Sequence, residues 1–221
     1  PAPRAGKNPA PKNKESPEYR QWRRQQSDRY GDSGKKPEEE GDYQIAQTAI
    51  TLLETFAQSQ QRFFLSVHQS RPHTPLIAPK KYLEMYDPAK IPEPPAPAAS
   101  LRNFPYAKRT AGGNPDIFTQ HQPTPQQGRE AIAAYYACVS FVDAQIGLLL
   151  DAMDRLKLWD STIVVLTSDH GFHLGEHGGL WAKLTLFEEA TRVPLLVAAP
   201  GKGTKVTSPR PPGRAQFPAS V

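Results

Sequence analysis

Apolar residues recur at helical spacing in two stretches of this 221-residue chain and form short, nearly unbroken runs in three others. In "DYQIAQTAITLLETFAQS" (42–59), Ile45, Ala49, Leu52, Leu53 and Phe56 share one face of a helix. A longer stripe of Ile132, Tyr135, Val139, Val142, Ile146, Leu149, Met153 and Leu156 alternates spacings of three and four, predicting a helix over about 127–158. "RFFLSV" (62–67), "TIVVLT" (162–167) and "VPLLVAAPG" (193–201) read as buried strands. Residues 74–128 read as loop-rich, with "IPEPPAPAAS" (91–100) an extended surface crossing and "TAGGNPDIF" (110–118) a turn.

A long helix followed within a few residues by an apolar strand is the αβ unit of a wound sheet, so the class predicted is α/β. Two of the strands run into loops rich in chemistry. Residues 62–67 lead to His68 and His73, and residues 162–167 lead to Asp169 and His170. If those strands are parallel, both loops emerge at the carboxyl edge of the sheet, where open α/β sheets hold ligands.

Composition divides the chain into three parts. Residues 1–40 hold six of the 24 prolines with ten basic and seven acidic residues, and they read as an irregular excursion. Residues 201–221 hold four prolines, four basic residues and no acid, and read as disordered. Residues 41–200 are then the domain. The formal charge of +5 follows the same division: +3 and +4 at the two ends, −2 between them. A nucleic-acid binder carries its basic surface on the folded part, so this distribution argues against one. No uninterrupted apolar run approaches the ~20 residues of a membrane span. "PAPRAGKNPAPKNKE" lacks the apolar core of a secretory signal and an initiator Met, which predicts that the true start lies upstream.

The single cysteine, Cys138, excludes an internal disulfide, and mid-helix beside an apolar stripe it reads as a packed thiol. Asp143 and Gln145 read as helix-surface residues or capping contacts.

"TSDHGFHLGEHGGLWAK" (167–183) holds one aspartate, three histidines, a glutamate and four glycines. Carboxylate and imidazole suit several divalent ions, and glycine lets backbone approach a ligand closely, so Asp169 and His170 are candidate metal ligands. A polar loop with hydrogen-bonded histidines is the bland alternative. "HLGEH" is not the zinc-protease pattern, and its glycine breaks a helix. Lys183, beside this loop, offers a point charge to an anion. His73, in "SRPHTP", is either structural or a general acid working near neutral pH.

These residues carry a resemblance. "YYACVSFVDAQIGLLLDAMDRLKLWDSTIVVLTSDHGFHLGEHGGLWAKLTLFEEATRVPLLVAAPG" and "FFLSVHQSRPHTPLIAPKKYLEMYDPAKIPEPP" resemble the C-terminal part of a sulfatase catalytic domain, in the iduronate-2-sulfatase and bacterial arylsulfatase branch of the alkaline-phosphatase-like superfamily. The resemblance implies a wound sheet with helices on both faces, incomplete in this chain, and hydrolysis of a sulfate ester on a small molecule or glycan. It implies that Asp169 and His170 are metal ligands, for calcium, together with carboxylates from another segment. Lys183 would contact the sulfate group, His73 would stand at the leaving-group oxygen, and Arg71 would take a substrate-binding place where many members have Lys. A periplasmic or secreted location is also implied, as is a formylglycine-generating enzyme or an anaerobic maturase as partner.

Three features depart from the family pattern. Formylglycine is made within a Cys/Ser-x-Pro/Ala-x-Arg motif, and this sequence contains none. The paired aspartates that complete the calcium site are absent, and family-like text stops near Gly201, which predicts a truncated or frame-shifted end. On these residues alone the chain by itself is expected to be inactive. A phosphodiesterase or phosphonate hydrolase of the same superfamily, or a noncatalytic metal- or glycan-binding remnant, are the alternatives.

Overall fold

The computed structural model of the chain describes residues 9–59, 61–93, 116–119 and 121–201. Most of the expected surface crossing at 91–100, most of the turn at 110–118 and the tail beyond Gly201 lie outside them.

Helix α1 (Pro17–Ser27) begins where the Ser16 hydroxyl accepts from the Tyr19 amide, with proline at the first helical position. Strand β1 (Tyr30–Asp32) follows. The described part of 1–40, expected to be irregular, therefore contains a helix and a strand. A 3₁₀ turn (Pro37–Glu39) leads into α2 (Gly41–Ser59). Strand β2 (Leu76–Ala78) then pairs in parallel with β1, Tyr30 opposite Leu76 and Asp32 opposite Ala78, before the short helix α3 (Lys80–Leu83). This is a small β-α-β crossover, and it fixes the loop ahead of β2, where His73 lies.

Helix α4 (Pro125–Arg155) is the spine. It opens on a capping box, Thr124 accepting from the Gln127 amide while the Gln127 side chain accepts from the Thr124 amide. It ends where Lys157 takes a left-handed conformation (φ 55°) and the Leu158 amide returns to the Met153 carbonyl. Three apolar clusters lie along it. Leu76, Ile117, Phe118 and Trp181 pack on its Ala131–Ala134 turn; Ala78 and Tyr82 pack on Ala137, Cys138 and Phe141; Leu53 and Leu158 pack on Met153. Each large side chain buried this way contributes about 1.5–3 kcal/mol.

The phase of both long helices differs from the sequence expectation. On α2 the buried face is Asp42, Ala46, Ala49 and Leu53, whereas Leu52 is exposed. On α4 the tightest face runs through Ala134, Ala137, Cys138, Phe141 and Gln145, whereas Val139 is exposed. Small residues took the close contact because they let backbones approach, and periodicity weighted by side-chain size points to the bulkier stripe beside it. Gln145, expected at the helix surface or in a capping contact, is buried mid-helix and donates from Nε2 to the Phe141 carbonyl. By length and composition α4 is the one described helix long and apolar enough to cross a membrane. Its contacts with α2, α3, β1 and β2 are those of a core helix.

Strand β3 (Val164–Thr167), the short helices α5 (Glu176–Gly179) and α6 (Glu188–Thr191), and strand β4 (Leu195–Ala198) complete the chain. β3 and β4 pair antiparallel, Val164 opposite Ala198 and Thr167 opposite Leu195. Residues 62–67, expected as a strand of the same sheet, belong to no strand and have no ladder partner among the described residues. Burial alternates along them all the same: Phe63, Leu65 and Val67 are partly covered, with Phe63 stacked on Phe56, while Phe64 is 94% exposed. The strands at 162–167 and 193–201, read as buried, expose Val165, Leu166, Leu195, Leu196 and Val197. Apolar residues on both faces are what a central strand of a doubly covered sheet carries; among the described residues nothing covers these.

Cys138 is fully buried, its Sγ donating to the Ile77 carbonyl, and burial above all pushes the thiol pKa up to about 12. The folded chain therefore keeps the thiol proton between about pH 9 and 12 where the unfolded chain releases it, so this group makes stability fall as pH rises through that window. At pH 8 the native protein is expected to leave Cys138 unlabelled by iodoacetamide and to label stoichiometrically in denaturant. Rapid labelling of the native chain, followed by mass spectrometry, would contradict that packing.

Candidate active site

His73 and Lys183, 110 positions apart, meet. Lys183 Nζ lies 2.9 Å from His73 Nε2. His73 Nδ1 stands 2.8 Å from the Thr74 carbonyl, an acceptor only, so Nδ1 carries the proton and Nε2 accepts from the Lys183 ammonium. Each partner is held by its own loop. The Trp181 and Ala182 side chains are buried just before Lys183, Trp181 edge-on against Phe118 at 5.0 Å. The His173 amide donates to the Ala182 carbonyl, and the Thr185 amide to that of Lys183. Lys183 is thus anchored on both sides with its amine turned outward.

The His73 loop is fastened to α2 through Arg71. Its Nη2 reaches Glu40 Oε2 at 2.6 Å, its Nη1 pairs with Asp42 Oδ2, and its Nε donates to the Ile77 carbonyl at 2.7 Å. The guanidinium also lies 5.1 Å over the Phe141 ring, and the Ser70 amide donates to Asp42 Oδ1 at 2.6 Å. Arg71 was expected at the substrate. Its side chain is only 11% exposed, and its donors are directed at these internal partners, so the geometry makes it a brace for the loop that presents His73.

Asp169 and His170 sit at the C-terminal end of β3. His170 Nε2 is 3.4 Å from Asp169 Oδ2, and His170 Nδ1 faces the Gly171 carbonyl at 2.9 Å. A ring nitrogen spent on a backbone carbonyl leaves the other as a free lone pair, the arrangement typical of metal-bound histidine. Burial is the largest single influence on Asp169 and opposes its charge, but the neighbouring His170, the backbone amides and the Ser168 hydroxyl together outweigh it and hold the carboxyl below its usual range. The pair therefore fits a divalent cation. Two donors are well short of the six to eight that calcium takes, so most of its ligands must come from elsewhere. Gly171 is required here. A Cβ on it would stand 2.0 Å from the Glu189 carbonyl oxygen, because α6 is bonded to the Gly171 amide through the Ala190 carbonyl.

Sequence reasoning missed three groups that the fold gathers behind this loop. His173 is fully buried and bonded through Nε2 to Thr185 Oγ1 at 2.7 Å; His177 Nε2 pairs with Glu189 Oε2 at 2.9 Å, and the His177 ring stacks on Phe187. Burial drives the His173 pKa down to about 4, so the ring is neutral at neutral pH. The spacing of His173 and His177 was visible in "HLGEH", but Gly175 argued against a helix there; α5 in fact starts after Gly175, which takes φ 99°.

With this geometry in place, three comparisons bear on it. The sequence model of the Sulfatase family matches residues 5–219. The chain is 37% identical over 188 residues to iduronate 2-sulfatase of Mus musculus, covering 80% of this chain and 33% of that protein. It is 38% identical over 162 residues to a sulfatase of Formosa agariphila, covering 72% and 32%. Among solved structures it resembles a phosphonate monoester hydrolase of Silicibacter pomeroyi, with a TM-score of 0.67 at 25% identity over 80% of this chain and 38% of that one. This likeness supports the α/β, alkaline-phosphatase-like class. The chain spans about a third of the length of the curated relatives it matches.

Proposed function

Because this chain belongs to the sulfatase family, we propose that it contributes the leaving-group side and part of the cation site of a sulfuric ester hydrolase. The observation that carries the reading is the contact of Lys183 with His73 across 110 residues, on loops fixed by buried partners. A sulfate ester is an anion, and its cleavage places charge on the sulfuryl oxygens and on the departing alkoxide. In this proposal Lys183 turns from His73 to the sulfate oxygens. His73, protonated on Nε2 as well as Nδ1, gives the Nε2 proton to the alkoxide as it leaves. The Thr74 carbonyl accepts from Nδ1 in both ring states, so the ring keeps its orientation through the transfer.

Asp169 and His170 would hold a divalent cation, calcium by resemblance, which when bound supplies positive charge beside the sulfuryl oxygens. The nucleophile, a formylglycine in this proposal, belongs to a segment outside this sequence, which contains no motif for making one. The 221 residues alone are accordingly expected to turn over no sulfate ester. A sulfated glycan or small molecule as substrate, a maturation enzyme as partner and a periplasmic or secreted location belong to the same proposal.

The test is a chain that also carries the remaining two thirds of its relatives' length. It should hydrolyse a nitrophenyl sulfate faster than a nitrophenyl phosphonate monoester, lose activity to a chelator and regain it with calcium. Asp169→Asn should weaken calcium binding by more than about tenfold, measured by calorimetry, because the remaining amide oxygen is uncharged. A preference for the phosphonate would move the assignment to the hydrolase class of its structural neighbour.

A further inference from the structure

Behind the candidate active site, His173, His177 and Glu189 each offer a ligand atom, and the three atoms lie within 4.8 Å of one another. Two imidazoles and one carboxylate, with nitrogen in the majority and only three donors, form a set suited to zinc; calcium prefers six to eight ligands, mostly oxygen. The carboxylate and one imidazole are already in register, His177 Nε2 lying 2.9 Å from Glu189 Oε2. Nitrogen and oxygen ligands around tetrahedral zinc stand about 3.4 Å apart, so the cluster needs side-chain adjustments of only about an ångström to close on an ion. A second, independent observation points to a ligand. His173 is fully buried, and its Nδ1 has no hydrogen-bond partner. The nearest carboxylate oxygen, Glu176 Oε2, is 3.8 Å away. A buried imidazole nitrogen without a partner is costly to keep unless something occupies its lone pair.

We propose that His173, His177 and Glu189 form a zinc site separate from Asp169 and His170, closing the loop that carries Lys183. Two ligands precede Lys183 and the third follows it, on α6. The Thr185 hydroxyl, 2.7 Å from His173 Nε2, orients the buried ring. A bound ion would join the two ends of the 180–187 stretch, holding Trp181 and Phe187 in place around the lysine. Three protein ligands leave one position of a tetrahedral ion for water.

The experiment needs no enzymatic activity, so it stands or falls apart from the sulfatase proposal. The 221-residue chain is titrated with Zn2+ by calorimetry, and with Co2+ to read the visible absorption of a four-coordinate ion. One equivalent of Zn2+ is expected, with a Co2+ spectrum of four-coordinate type and a rise in melting temperature on binding. Glu189→Gln, which keeps a hydrogen-bonding oxygen beside His177, should weaken binding more than about tenfold, and His177→Ala should do the same. Asp169→Ala should leave it unchanged. Binding that survives both Glu189→Gln and His177→Ala, binding lost in Asp169→Ala, or no binding to the folded wild-type chain would each overturn the proposal. Should His177→Ala fail to fold, the near-isosteric Glu189→Gln decides.

Discussion

In a catalytically competent protein carrying this chain, His73→Ala should slow hydrolysis of an alkyl sulfate by about 10²–10⁴-fold while leaving a nitrophenyl sulfate little affected. The difference lies in the leaving group. An alkoxide is a strong base and needs a proton as the S–O bond breaks, whereas a nitrophenolate leaves without one. The Thr74 carbonyl faces His73 Nδ1 and keeps Nε2 turned toward Lys183, the orientation that the proposed proton transfer needs. Lys183→Ala is expected to act differently. It removes a charge from the sulfate whichever alcohol departs, so both substrates should slow by about 10²–10³-fold. The pair of variants, each assayed on both substrates, separates an acid from an anion binder. Equal loss on the two substrates in His73→Ala would show that His73 only positions Lys183.

Arg71→Met should cost about 3–5 kcal/mol of stability, read as a lowered midpoint in urea with an unchanged slope. The loss comes from what is left behind. Glu40 and Asp42 are 4% and 1% exposed, and both face the guanidinium. Without it two buried carboxylates stand close together with no cation. Arg71→Lys should recover part of the loss only, since one ammonium cannot span two carboxylates and also reach the Ile77 carbonyl. Removing the charges together, as in Arg71→Met with Asp42→Leu and Glu40→Gln, should restore more stability than the lysine does. A substrate-binding Arg71 would behave otherwise: its loss would raise KM with the urea midpoint unmoved.

The Arg71 network shows why part of this site could not be read in advance. "KKPEEEGD" has the composition of a solvated acidic turn, and nothing local says that Glu40 and Asp42 point inward. Their burial depends on an arginine some thirty residues later, brought beside them by the parallel pairing of β1 and β2 around α2. The helices give a related lesson. Periodicity located both of them to within a few residues, but it favoured the bulky stripe through Val139 over the small-residue face through Ala134 and Cys138. Which face packs is decided by how closely a neighbouring backbone can approach, and that is a property of the pair.

The sequence by itself determined the α/β class, the long helix and the strand after it, the family, the buried thiol, and the loops that carry His73, Asp169, His170 and Lys183. Those features are local. A 3.6-residue period, an apolar run or a spaced motif can be read without knowing what lies opposite. Only the tertiary structure decided that His73 and Lys183 touch, that β3 pairs antiparallel with β4, and that Arg71 braces rather than reaches out. It alone gathered His173, His177 and Glu189 behind the lysine loop. Each of these depends on contacts between segments up to 110 residues apart. Their energies come from burial and pairing against groups that no single stretch of the chain contains.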